Sequence, residues 1–598
     1  MLKRPTKLES KRKLLTTEAE PVEKKSKLGN MTSFLEKKTA EDLIAHEAAM
    51  GASFNYLAKS FLIKKGMRNE GFNAPANHRT VKEYVCKSAE THRQKLIKNL
   101  KKSVQDGQRF SIITDEWTCT NKNRKYVNIN LRQNGQDTNL GLQAVKGSLT
   151  AMKLKDMVVS KTESFGLNFD NHIIGITCDG CSVNTKMGKE INITMQLCLA
   201  HAIQLAVIDI FYKGNCEGSD KKNLDPESLD ESIKSKAESP EPDPEEEYED
   251  DDDNNFDNLT DDTAIEKGLE IAEDFLGLIK KIRKVVTTFA GRSSRLHELL
   301  QSSIKEWQRK KNLPERGQSL RRDCPTRWSS MATMIESVRK VKEPLQDTLK
   351  DFPDLALTDE DFNKIDKILE VLTPLKEAVE KLCSEKANLL YAESIFSVIF
   401  ENLAESESKL SHRMLIALKK RVEERWDNET SGLLKYLSNS ATLKEKKVEK
   451  IFKVPTRSAL ESFAMKLIKR LFPSPEISVD KFDNEVEVAL ENQDEKKLSF
   501  EEQVKAKMNK FVTPKPVDLT TSQALKTLRK EMDIYEATNE KSPNLKYLFE
   551  ALKQISPTSV ASERAFSCSG SIVTKKRSCL DDGTINDLCF LQGVFKNK

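Results

Sequence analysis

The chain has 598 residues, 32% of them charged and 37% hydrophobic, which is enough for two or three domains with a polar surface. No run approaches the roughly 18 apolar residues of a membrane span, and the first residues lack the apolar core and cleavage site of a signal peptide. Eleven cysteines are scattered without a framework, which fits a reducing compartment. The net charge of +5 conceals an asymmetry: residues 225–262 hold 18 Asp and Glu against two Lys, so the rest carries about +21. A basic body of that size suits a polyanionic partner such as double-stranded DNA.

Residues 1–30 are polar and without hydrophobic periodicity, and are expected to form a disordered basic tail. The clusters Lys3-Arg4, Lys11-Arg12-Lys13 and Lys24-Lys25-Ser26-Lys27 resemble a nuclear localisation signal and point to the nucleus. The first cysteine is Cys86, so no zinc finger precedes it. Residues 31–75 carry a mostly helical pattern through Leu43, Ala45, Ala48, Ala49, Phe54, Leu57, Phe61 and Leu62. A second helical stretch, 79–106, is rich in Lys and Arg.

The period then changes. Arg109–Trp117 holds a short apolar β-run ending in Asp115, Lys125–Leu131 alternates, and Leu140–Val145 makes a third strand. An amphipathic helix near 151–165 follows, and His172–Thr177 forms a fourth strand running up to Asp179. Three strands, a helix and a further strand open a ribonuclease-H-like α/β domain, and carboxylates at strand ends are where such sheets expose chemistry. Two readings compete around Asp179. Cys178, Cys181, Cys198 and His201 form C-x2-C-x16-C-x2-H, a spacing that zinc could use. Alternatively Asp179 is itself a metal ligand, and Cys198 and His201 belong to a following strand–helix unit.

Residues 214–262, including EPDPEEEYEDDDDNN, read as a disordered acidic loop. From 263 to 540 the pattern is helical, with one long helix at Ile265–Phe289 and others near 333–350, 361–384, 392–426, 457–471 and 500–511. Within it lies Asp323-Cys324-Pro325-Thr326-Arg327-Trp328-Ser329-Ser330, where Trp328 could serve as a core anchor. Near the C-terminus, Ser556–Leu580 sets Glu563 and Arg564 among Ala561, Ala565 and Phe566. A carboxylate among small residues is costly to desolvate unless its charge is met; the plainer reading is a surface Glu–Arg pair. The final apolar helix, through Leu588, Phe590, Leu591 and Val594, needs a partner surface.

Four blocks in order, TDEWT, TCDGCSVN, CPTRWSS and SERAFS, together resemble the hAT superfamily of DNA transposases over roughly residues 35–598. Gly180 stands where that family usually has Asn after its second Asp. The BED-type finger with which such proteins usually begin does not appear, nor do the paired tryptophans often found near the dimerisation region. The resemblance implies a fold of α/β plus all-α class, a ribonuclease-H-like core interrupted by a large helical insertion. Its parts would be a helical, DNA-associated lead-in at 31–106, core at 107–213, acidic loop at 214–262, helical insertion at 263–540, and core completion with dimerisation region at 541–598. Asp115, Asp179 and Glu563 would then form a carboxylate triad holding two Mg2+ (or Mn2+) ions about 3.5–4 Å apart. Arg327 and Trp328 would lie against the DNA, with Cys198 and His201 supporting the metals. The implied activity is cleavage and strand transfer of transposon ends by a homodimer or higher oligomer. Two alternatives stand beside it: a domesticated, catalytically inactive relative acting through dimerisation and transcriptional regulation, and a zinc-binding scaffold built on Cys178, Cys181, Cys198 and His201.

Overall fold

The computed structural model describes residues 39–119, 124–212, 273–291, 295–324, 328–444, 451–473, 521–573 and 580–596. The 1–30 tail, the 214–262 loop, the 500–511 helix and Arg327 lie outside the described residues.

A five-stranded mixed sheet organises the rest. Strands β1 (Phe110–Cys119), β2 (Arg124–Gln133), β3 (Gln136–Val145), β4 (Ile173–Cys178) and β5 (Thr194–Leu197) take the order β3-β2-β1-β4-β5. The first three form an antiparallel meander, whereas β4 and β5 run parallel to β1. Asn134 and Gly135 close the β2–β3 hairpin with φ of 52° and 84°, the left-handed pair that a two-residue turn between twisted strands requires. Every residue of β4 is buried, as expected of a parallel strand covered on both faces.

The first helices are α1 (Ala40–Ala49), α2 (Phe54–Lys59), α3 (Phe61–Asn69), α4 (His78–Gln105), α5 (Ala151–Ser164), α6 (Phe169–His172), α7 (Ser182–Glu190) and α8 (Leu199–Phe211). Then come α9 (Glu273–Phe289), α10 (Arg295–Lys310), α11 (Trp328–Lys340), α12 (Lys342–Leu349), α13 (Asp359–Leu382), α14 (Leu389–Glu405) and α15 (Lys409–Glu423). The last are α16 (Asn428–Ser438), α17 (Arg457–Leu471), α18 (Thr521–Thr538), α19 (Pro543–Leu552), α20 (Val560–Ile572) and α21 (Asp582–Lys596). Two helices expected to be continuous are broken. The 333–350 run divides at Val341 because Pro344 has no N–H to donate back to Lys340. The 392–426 run divides at Ser406, whose extended backbone ends α14 while its hydroxyl bonds Glu370.

Packing sorts these helices. The core on one sheet face takes residues of α1, α4, α5 and α21; the other face meets α16–α19 through Ile174 and Ile555. Arg470 of α17 reaches the carbonyls of Ile173 (2.6 Å) and Ile174 (3.0 Å) in β4. Helices α9–α15 gather instead around α8 in a third core. The helical block therefore divides, one part enclosing α8 and the other covering the sheet. The apolar face of α21 finds its partner surface within the chain. Ile585, Leu588, Cys589, Phe590 and Leu591 are all buried against β3, α4, α1 and α20, at roughly 1.5–3 kcal/mol for each large side chain.

Candidate active site

Sheet register brings the first two carboxylates together. Ile113 of β1 pairs with Thr177 of the parallel β4, so Asp115 and Asp179, each two residues further on, emerge side by side. Asp115 Oδ1 accepts the Glu116 N–H at 2.8 Å. Asp179 follows the end of β4, where its Oδ1 accepts the Cys181 N–H at 3.3 Å and a bond from the buried Asn184 side chain of α7. Asp179 thus follows the end of β4, whereas β1 does not stop at Asp115 as its apolar run suggested but continues to Cys119, paired with β2. Asp115 lies just past the end of the parallel β1–β4 pairing, the side where open sheets place ligands.

Glu563 arrives from the far end of the chain. The segment before α20 is sewn to the sheet and to α8: Thr177 Oγ1 donates to the Ser556 carbonyl (2.8 Å), the Leu199 N–H to that of Pro557 (2.9 Å), and the Ser559 N–H to Cys198 Sγ (3.2 Å). Ser562 then accepts from Asn130 Nδ2 at 3.0 Å and donates to the Ile113 carbonyl at 3.4 Å, which fixes the first turn of α20 over β1 and β2. One residue on, Glu563 is only 5% exposed. It makes no surface pair with Arg564, whose Nη2 donates to the Cys383 carbonyl at 3.2 Å.

Among the described residues, neither oxygen of Glu563 has a hydrogen-bond partner. Its ion-pair partner, His201 Nε2, stands at 4.0 Å, beyond hydrogen-bond reach. Burial, and then the charges of Cys198 and Asp179, raise this carboxyl from 4.5 to about 8 against the pull of His201. Asp115 is pushed well above the usual carboxylate range by burial and by the charges of Asp179 and Glu563. His201 sits three residues into α8 beyond Cys198, so the two share a face. Burial opposes the imidazolium, but Cys198, Glu563 and Asp115 raise His201 well above 6.5. Burial likewise opposes ionisation of Cys198, yet His201 and the Ser559 N–H bring its thiol down to about 7.

Glu563 is buried with both oxygens unpartnered among the described residues, and the half-buried Asp115 and Asp179 act on it by charge; a hard divalent cation would offset that repulsion. Among the described residues, no group of three or more His, Cys, Asp or Glu side chains is placed so that it could hold a metal ion as the side chains stand. That holds for the zinc spacing too. Cys178 is buried, whereas Cys181 is exposed and caps α7 by accepting the Asn184 N–H at 3.5 Å. Trp328 is 7% exposed in the core around α8, the anchoring position its size favours.

One residue beside the pocket lies outside every sequence block. Arg425, just beyond α15, follows a basic helix face and reads in sequence as a surface charge. The signal beside it is Trp426, which is buried edge-on to Phe452 at 4.7 Å and draws its neighbour inward. A different surface lies on α2 and α3. Tyr56, Phe61 and Leu62 are 55%, 74% and 73% exposed. Among the described residues, the adjacent Lys59, Lys64, Lys65 and Arg68 have no carboxylate partner.

Residues 523–594 match the hAT family C-terminal dimerisation region. The hAT match covers α18–α20 and most of α21, the part of the chain that delivers Glu563. It supports membership of the hAT family, kinship with its transposases, and homo-oligomerisation through this region. No curated protein gives a significant match to the chain. Among the described residues, no helix is long and apolar enough to cross a membrane.

Proposed function

We propose that the chain is a hAT-type DNA transposase whose ribonuclease-H-like core cuts and joins transposon ends with Asp115, Asp179 and Glu563. The observation that carries this reading is the meeting of three carboxylates from β1, the end of β4 and α20, with both Glu563 oxygens buried and unpartnered. The three would hold Mg2+ or Mn2+, which when bound supplies an activated oxygen nucleophile and charge stabilisation for the leaving oxygen. His201 limits the repulsion within the pocket before any cation arrives, and Cys198 holds His201 in place. The Ser562 bonds keep Glu563 aimed at the strand ends. The basic, aromatic face of α2 and α3 suits double-stranded DNA, where cations meet phosphates and exposed rings can stack on bases. Arg327 is a further DNA contact in this proposal, while Trp328, packed in the core around α8, would anchor that segment rather than reach DNA; the Lys/Arg clusters of the first 30 residues would direct the protein to the nucleus.

The test is strand cleavage and joining by purified protein on candidate terminal-repeat DNA in Mg2+ or Mn2+, with Asp115→Asn, Asp179→Asn and Glu563→Gln alongside. Activity lost in all three establishes the triad. DNA binding by a folded oligomer that never cleaves assigns the chain to the domesticated, regulatory class. Activity that survives Glu563→Gln removes that residue from the triad.

A further inference from the structure

Arg425 is held by its backbone more firmly than a surface arginine. Its N–H bonds the Val422 carbonyl at 3.0 Å, and its own carbonyl accepts Nε2 of Gln196, on β5, at 3.1 Å. The next residue, Trp426, is locked into the core around α8. The side chain is 11% exposed and turned toward the carboxyl end of β4. A Cβ placed on Gly180, the residue after Asp179, would meet Arg425 Nη2 at 3.0 Å. A side chain there, such as the asparagine that the hAT resemblance expects, would press on the guanidinium and make it shift. Among the described residues, Glu424 is the one ion-pair partner of the head, at 3.5 Å from Nη1, and Nε is buried with no hydrogen-bond partner. Asp179 and Cys198 lie close enough for their charges to act on it.

A planar cation fixed at its root, with Nη2 turned toward the end of β4, can donate its Nη N–H groups to an anion there. Permanent pairing with Asp179 would neutralise the pocket, but Asp179 Oδ1 is already engaged by Asn184 and the Cys181 N–H. We propose that Arg425 is a phosphate-binding residue of the active site. Admitted by Gly180, its guanidinium takes a non-bridging phosphate oxygen of the DNA strand laid against Asp179. This deepens the transposase reading and rests on it only for the identity of the strand. The contact itself needs no chemistry and no metal.

The experiment is binding of a fluorescein-labelled nicked duplex to the full chain in EDTA over a salt series, for wild type, Arg425→Ala, Arg425→Lys and Gly180→Asn. Loss of one phosphate contact makes the slope of log K against log salt shallower by about 0.9. Arg425→Ala and Gly180→Asn are expected to show that change with about tenfold weaker binding at low salt. Arg425→Lys, which keeps a point charge without the fork, should retain the slope and lose about threefold. Wild-type slope and affinity in Arg425→Ala overturn the proposal, whatever happens to thermal stability. If Arg425→Ala fails to fold, Gly180→Asn and Arg425→Lys decide it by the same slopes. Cleavage in Mn2+ is measured separately. A wild type that binds but never cleaves, with the slope change present, removes the catalytic reading and keeps Arg425; a wild type that does not bind the duplex removes both.

Discussion

Two sites in this molecule each gather three carboxylates, and they treat them in opposite ways. Between α17 and α18, Glu461, Asp533 and Glu536 are met by Arg457 and Arg529, with Arg457 reaching all three and the Tyr436 hydroxyl adding a bond to Glu536 at 2.7 Å. At the sheet edge, Asp115, Asp179 and Glu563 share His201 at 4.0 Å from Glu563, and Arg425 stands at the rim. The first set is neutralised inside the chain and ties one helix to another. The second is left in deficit at a cost to stability. A fold that can complete one triad of acids with guanidinium groups, yet leaves another in mutual repulsion, marks the second as a place where charge is to be supplied from outside.

The sharpest way to break this contrast is to neutralise each set. If the proposed function holds, Asp115→Asn, Asp179→Asn or Glu563→Gln should reduce strand cleavage by about a thousandfold or more, since each would remove a ligand of the proposed ions. The same substitutions should leave the unfolding temperature unchanged or raised, because they relieve repulsion. Glu461→Gln should do the reverse, leaving cleavage intact while lowering stability by about 3 kcal/mol, as breaking a largely buried pair does. Calorimetry beside the cleavage assay reads both. Unfolding temperatures that fall alike in the two sets would erase the distinction.

Mg2+ should stabilise the wild type by about 2.7 kcal/mol at a hundredfold excess over its Kd, and Glu563→Gln much less. A thermal-shift titration shows it. The pH dependence follows from the sign of the Glu563 shift. Its carboxyl titrates near 8 in the folded chain against 4.5 when exposed, so between those values the folded state keeps a proton that the unfolded state has released. The fold then loses stability as pH rises through that window, and below it the penalty is absent. Glu563→Gln should flatten this part of the stability profile, measured by denaturant unfolding at several pH values. The smallest effect belongs to α2 and α3, where Lys65→Ala with Arg68→Ala should weaken duplex binding a few-fold at low salt and leave the fold untouched.

The sheet was legible because strand alternation and terminal carboxylates are local signals. Asp179 could be placed at a strand end from the residues alone and Glu563 stood out as a carboxylate among small residues, whereas β1 runs on to Cys119 past Asp115 because its pairing with β2 continues there. Other features depend on distant partners. Strand β5 is four residues long and was legible only as part of a strand–helix unit around Cys198 and His201, without bounds of its own. The helix breaks at Val341 and Ser406 came from one proline and one side-chain bond, which a periodicity of apolar residues does not register. That α16 and α17 cover the sheet could not be seen in their sequences, whose apolar faces fit either core. Arg425 was missed for the same reason: its burial is decided by Trp426, Gln196 and Gly180, two of them more than 200 residues away.

The stitching of the Ser556–Ser562 segment has a consequence for how the protein comes into being. Ser556 bonds to a strand made 379 residues earlier, and Ser562 to one 449 residues earlier. While the chain is still emerging from the ribosome, β1 and β4 are already made and Asp115 and Asp179 with them, but the third acid is not. The newborn polypeptide is an incomplete tool throughout its synthesis, and the pocket closes only when α20 docks. A cell making this protein therefore meets its acid pocket complete only in molecules that have passed nearly every other folding step.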